Sequence, residues 1–127
     1  MEIQANNLIK VDTSLTGKFF TYWLNFLKPF HQLTTREMEI VATFLKIRYE
    51  LSKSILDTNI LDTVLMSKDV KNRIREECNM TTSIFQVILT KLKKKKIIID
   101  NKINPKFIPN IKEENGKFIL LLYFDLK

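Results

Sequence analysis

SKDVKNRIREECNMTTSIFQVILTKLKKKK, residues 67–96, is the stretch whose reading decides the fold. It opens at Ser67, a good helix cap because its hydroxyl can accept a hydrogen bond from a backbone N–H of the first turn. Val70, Ile74 and Cys78 then recur at helical spacing, while Lys68, Lys71, Arg73 and Arg75 fall off that stripe. Asn79 and Met80 interrupt the pattern. It restarts at Thr81, with Met80 just outside the cap and Phe85 four residues inside it, the two positions of a hydrophobic staple. Ile84, Phe85, Ile88, Leu89 and Leu92 form one expected buried face. Thr82, Ser83, Gln86, Thr90, Lys91 and Lys94 lie opposite, polar groups able to reach phosphates or base edges. The reading is two short helices joined by a tight turn.

Charge is concentrated in the same place. Residues 67–96 hold nine basic side chains against three acidic ones (Asp69, Glu76, Glu77), a balance of +6 within a chain whose net charge is +7. The remainder is nearly neutral.

Composition bounds the rest. With 127 residues, 45% apolar and 28% charged, the chain suits one compact unit with its own core. One cysteine excludes an internal disulfide, and one histidine beside it cannot close a zinc site, so no metal or other cofactor is expected. Two glycines are too few for the phosphate-cradling loops of nucleotide enzymes. No nucleophile has a visible base, Cys78 reads as a small buried hydrophobe and His31 as a helix-end residue, so the chain reads as no enzyme and takes no small-molecule substrate. No apolar run is long enough to span a bilayer, and MEIQANNLIK lacks the charged start and apolar core of a secretion signal. The expected setting is the cytoplasm, neither secreted nor transmembrane. The abundance of Ile, Lys and Asn suggests an AT-rich genome.

Outward from the centre, residues 1–12 have weak periodicity and remain open between strand, arm and docking segment. Thr13 or Ser14 is expected to cap an aromatic helix through LTGKFFTYWLNFLKPF, with Phe19, Phe20, Trp23, Phe26, Leu27 and Phe30 as its apolar face and Pro29 as its end. That face reads as core, or as a surface for a partner. Residues 33–51, LTTREMEIVATFLKIRYEL, give the clearest helix: Thr34 and Glu37 make a capping box, Leu33 and Met38 a staple, and Ile40, Val41, Phe44, Leu45, Ile47 and Leu51 the buried side. Residues 52–66 read as a loop with a short helical turn, Asp57 and Asp62 serving as caps rather than as a metal or catalytic pair. After the lysine run, IIID suggests a short strand. Asn115-Gly116 is the strongest hairpin signal, followed by the apolar run Phe118 to Phe124, while Pro105 and Pro109 confine the preceding arm to an edge or a path outside a ladder. A wing is expected from residues 97–99 paired with 118–123, or from the Asn115-Gly116 hairpin itself. The last run is apolar on both faces, so something must cover it.

The element order and the pattern NMTTSIFQVILTKLKKKKII, in which turn, helix, basic exit and strand follow one another, resemble those of winged-helix proteins over residues 33–124. Leu33 to Val41, Arg73 to Glu76, Leu92 to Ile97 and Ile103 to Pro105 are also similar to segments of small winged-helix proteins of tailed, crAss-like phages. The LTTREMEIV opening resembles the start of LuxR-type DNA-binding domains. There the recognition helix follows within about one further helix, so that likeness reads as convergence on capping chemistry.

The expected fold class is therefore mainly α with a small β-hairpin or wing, a winged helix-turn-helix with an extra N-terminal aromatic helix. Residues 1–32 form the arm and aromatic helix packing on the main domain, and residues 33–127 the winged-helix domain. Two functions follow. The first is DNA binding, with Lys68, Lys71, Arg75, Thr82, Ser83, Gln86, Thr90, Lys91, Lys93, Lys94, Lys95 and Lys96 as contacts. The second, which the phage resemblance implies, is a virion structural or assembly role. Trp23, Phe26, Phe30, Phe118, Leu120, Leu122 and Phe124 would then meet a protein partner or a second copy, and the setting would be the virion. Four successive lysines also have a plainer reading, a solvated helix end that complements the negative C-terminal dipole.

Overall fold

The computed structural model describes residues 10–15, 17–111, 116–120 and 123–127. Among these the chain is mainly helical: α1 (Phe19–Phe26), α2 (Lys28–His31), α3 (Thr35–Ser52), α4 (Thr58–Leu65), α5 (Lys68–Glu77) and α6 (Thr82–Lys94) precede β1 (Ile98–Ile99), β2 (Lys102–Ile103) and a 3-10 turn (Pro105–Phe107).

Helix α3 is the axis of the fold. Its start is fixed by the reciprocal capping box expected from the sequence: Thr34 Oγ1 accepts from Glu37 N at 3.2 Å, and Glu37 Oε1 accepts from Thr34 N at 2.8 Å. Ile40, Val41, Phe44 and Ile47 are wholly shielded from solvent. Each such side chain contributes about 1.5–3 kcal/mol of hydrophobic stabilisation. Around this axis pack α1, α4 and α5. Ion pairs tie α5 to α3 along the outer edge, Arg73 to Glu50 at 2.9 Å and Lys46 to Glu77 at 3.2 Å.

Several expectations are corrected. Residues 58–65 are a full helix and not a loop, because Asp57 accepts from the backbone of Asn59 and Ile60 while Leu61 and Leu65 turn inward. Asp62 is no cap. It pairs with Arg48 at 3.2 Å, fastening α4 to α3. The aromatic helix begins only at Phe19, without a side-chain cap, so neither Thr13 nor Ser14 caps it. It stops at Phe26, and Pro29 sits in the first turn of α2, where its missing N–H costs no helical bond. His31 closes that corner. Its Nδ1 accepts from Leu33 N at 2.9 Å, which leaves Nε2 protonated to donate to the Leu24 carbonyl at 2.7 Å.

The hairpin also lies elsewhere than expected. It is β1 paired antiparallel with β2, Ile98 opposite Ile103 and Ile99 opposite Lys102. Asp100 and Asn101 form its tip, both with positive φ (52° and 58°), the two-residue geometry that matches strand twist. Asp and Asn tolerate this conformation better than other non-glycine residues. Asn115 lies outside the described residues, and residues 118–120 and 123–124 form no strand. Phe118 nevertheless finds cover, edge-on to Phe19 and Trp23 with ring centroids 5.2 and 5.6 Å away.

Candidate nucleic-acid interface

Two helix ends of the same kind set the geometry of residues 67–97. Ser67 caps α5 by accepting from Val70 N at 3.4 Å, and Thr81 caps α6 by accepting from Ile84 N at 3.2 Å. At the end of α5, Met80 N returns to the Arg75 carbonyl and Asn79 N to that of Glu76, with Asn79 in the left-handed region. At the end of α6, Ile97 N returns to the Leu92 carbonyl and Lys96 N to that of Lys93, with Lys96 at φ 60°. Both are Schellman closures that satisfy carbonyls otherwise left without partners. The second aims the chain straight from α6 into β1. Asn104 reinforces it, donating from Nδ2 to the Lys96 carbonyl at 3.0 Å.

The turn between α5 and α6 is clamped to α3. Arg75 Nη1 donates to the Met80 carbonyl at 3.0 Å, Arg36 Nη1 donates to the Cys78 carbonyl at 3.3 Å, and the Cys78 thiol meets Thr43 Oγ1 at 3.4 Å. Burial pushes the Cys78 thiol up, against the opposing hydrogen bond from Thr43. Cys78 is thus a packed hydrophobe in a clamp, as its place in the stripe suggested.

With α6 so held, Phe85, Ile88, Leu89 and Leu92 face the core. Thr82, Ser83, Gln86, Thr90, Lys91, Lys93, Lys94 and Lys96 face solvent. Among the described residues, Lys91, Lys93, Lys94 and Lys96 have no carboxylate partner; nor do Lys68, which is exposed, and Lys71, which is half-buried. Thr90 is partly committed, its hydroxyl donating to the Gln86 carbonyl at 3.0 Å.

Three sequence assignments change here. Ile84, expected in the core, is 50% exposed, because it lies at the edge of a stripe centred on Phe85 and Leu92. Arg75 is held in the turn and its Nε is buried, so it is a structural residue. Lys95 points back to α3, its Nζ 2.7 Å from Glu37 Oε1 and 3.2 Å from the Gln32 carbonyl. Burial would raise the Glu37 carboxyl, but hydrogen bonds from Lys95 and Thr34 outweigh it and hold the group below its ordinary value.

No protein-family model, curated protein or solved structure matches this chain.

Other residues join the surface without having been singled out in the sequence. Val87 stands on the solvent face of α6 and is 55% exposed. With Ile84, Ile88, Thr34, Arg36, Ser83 and Lys91 it lines an apolar groove of about 370 Å³ between α6 and the start of α3. On the hairpin, Lys102 and Ile99 face outward while Ile98 and Ile103 are buried.

The expected protein-contact residues are split. Trp23 is half-buried and donates from Nε1 to the Phe107 carbonyl at 2.8 Å, so it belongs to the internal packing. Phe118 packs on it. Phe26 and Phe30 are 47% and 60% exposed, Leu120 and Phe124 are exposed, and Leu122 lies outside the described residues. Among the described residues, no cluster of His, Cys, Asp or Glu can hold a metal ion, and no helix is long and apolar enough to cross a membrane.

Proposed function

We propose that this chain is a winged-helix protein that binds duplex DNA, with α5 and α6 as the helix-turn-helix, α6 as recognition helix and the β1–β2 hairpin as a minimal wing. The observation that carries the reading is the set of lysines at the exit of α6, Lys91, Lys93, Lys94 and Lys96, which have no carboxylate partner among the described residues, beside the exposed Thr82, Ser83 and Gln86. Unpaired cations on a rigid helix end neutralise phosphates and release counterions, whereas Lys95 and Arg75, already engaged, contribute to the scaffold. The test is fluorescence anisotropy with a labelled 30-base-pair duplex over a series of salt concentrations. Replacing Lys93, Lys94 and Lys96 by Ala should lower the slope of log K against log salt by up to about 0.9 for each phosphate no longer neutralised. An unchanged slope would overturn the assignment of this surface.

A second reading, docking of another protein chain, as in a phage virion, is favoured by Phe26 and Phe30, two exposed aromatic rings four residues apart. Sedimentation at micromolar concentration, with Phe26 and Phe30 both replaced by Ser, distinguishes the two. A mass that falls on substitution supports association through this face. A monomer throughout removes self-association through it.

A further inference from the structure

The exposed side of α6 is apolar at its centre. Ser83, Val87, Thr90 and Lys94 recur at the spacing of one helical face, directly opposite Phe85, Ile88, Leu89 and Leu92, and Val87 stands in the middle of that line. Ile84 flanks it on the side of the groove shared with α3. Both branched side chains are half or more exposed, although burying either would have been favourable. Among the described residues, Val87 on the crest and Ile84 on the flank thus leave apolar surface without cover. Two lysines without a carboxylate partner among the described residues stand beside them, Lys91 on the same flank and Lys94 further along the line, so an anionic occupant with apolar patches fits and a neutral apolar one fits less well.

The major groove of duplex DNA has that chemistry, phosphates at its rims and, on its floor, the C5-methyl group of each thymine. We propose that Val87 and Ile84 read thymine methyl groups in the major groove, which makes the preferred ligand a duplex with thymine at the positions facing α6. Ser83 and Thr90 beside them are small enough to let the helix approach the base edges. The inference rests on the DNA-binding reading above and adds to it the class of sequence recognised.

Two 30-base-pair duplexes test it, one of alternating adenine and thymine and one of identical sequence with uracil in place of thymine, which deletes only the methyl groups. The expected result is weaker binding to the uracil duplex, by about fourfold for each methyl withdrawn from an apolar contact. The Ile84→Ser, Val87→Ser double variant should bind both duplexes alike, at the native protein's affinity for the uracil form. Both residues are exposed, and circular dichroism will verify that the variant folds. Equal binding of the native chain to both duplexes, with a normal salt slope, overturns the methyl reading and leaves DNA binding intact. Absence of salt-sensitive binding to either duplex overturns both. Self-association that disappears in the double variant assigns this face to a second copy of the chain and also overturns the proposal.

Discussion

Lys95 and Glu37, 58 residues apart in sequence, meet at 2.7 Å across the junction between the end of α6 and the start of α3. The carboxylate is almost wholly buried, with 3% of its side chain accessible, while the lysine keeps about a third of its own. Glu37 thereby serves both its own helix, through Thr34, and the placement of α6. Its Oε2 is buried with no hydrogen-bonding partner among the described residues, so Oε1 carries the whole load. Lys95→Met should therefore destabilise the fold by about 1.5–3 kcal/mol, the range for a hydrogen bond to a charged group. Chemical denaturation measures it.

The same pair sets a pH dependence. Glu37 is held below its ordinary value near 4.5, so its contribution is complete above that value and is lost as pH falls through the lowered one. Thermal midpoints of the native protein should drop in this acid range. Glu37→Gln should start lower and show a shallower acid decline, and an equally steep decline would place the responsible carboxylate elsewhere.

Helix-face assignment on α6 gives a ranking. Phe85→Ala removes a buried ring and should cost about 3–5 kcal/mol. Val87→Ser lies on the exposed face and should stay within about 0.5 kcal/mol of the native protein. Urea unfolding of the two variants, compared at equal slope, checks the order.

Legibility in the sequence followed the range of the interaction. The caps at Thr34, Ser67 and Thr81 were readable because donor and acceptor lie within one turn of each other. Of the stripe on α6, Phe85, Ile88, Leu89 and Leu92 were found, and Ile84 was misplaced because a spacing of four from Ile88 does not say where the edge of the stripe falls. Helix α4 was missed because only Leu61 and Leu65 of its short apolar pattern turn inward, while Ile60 stays exposed. The hairpin tip lacks glycine, so Asp100-Asn101 carries little turn signal beside the Asn-Gly pair further on, where the hairpin was expected. The engagement of Lys95 and Arg75 could not be read at all. Within the lysine run, four adjacent cations look alike until the C-terminal closure fixes which one turns inward.

Lys96 offers a way to separate stability from binding. A lysine at φ 60° carries a steric cost of about 1–2 kcal/mol that glycine avoids, against about 0.5–1 kcal/mol for glycine's greater freedom when unfolded. Lys96→Gly should thus raise stability by up to about 1.5 kcal/mol. On the DNA-binding reading it should also flatten the salt slope by about 0.9. Denaturation and anisotropy on one variant would show the two quantities moving in opposite senses.

Trp23 is expected to act as an internal strut. Trp23→Phe keeps an aromatic ring against Phe118 but deletes the donor to the Phe107 carbonyl, and should cost about 1 kcal/mol. Equilibrium unfolding followed by circular dichroism will measure this, since the variant has lost the chain's only indole.

The clamp around Cys78 gives the protein a built-in clock. This is the chain's sole thiol, it is buried, and it sits where α3 grips the turn between α5 and α6. An alkylating reagent therefore reacts chiefly when that grip loosens, and the labelling rate follows the population of the open turn, or the frequency of opening where alkylation outpaces reclosing. Comparing this rate with and without duplex DNA would report whether a ligand on the far side of α6 is sensed at the grip. No engineered probe is needed, and none of the groups proposed to touch DNA is altered.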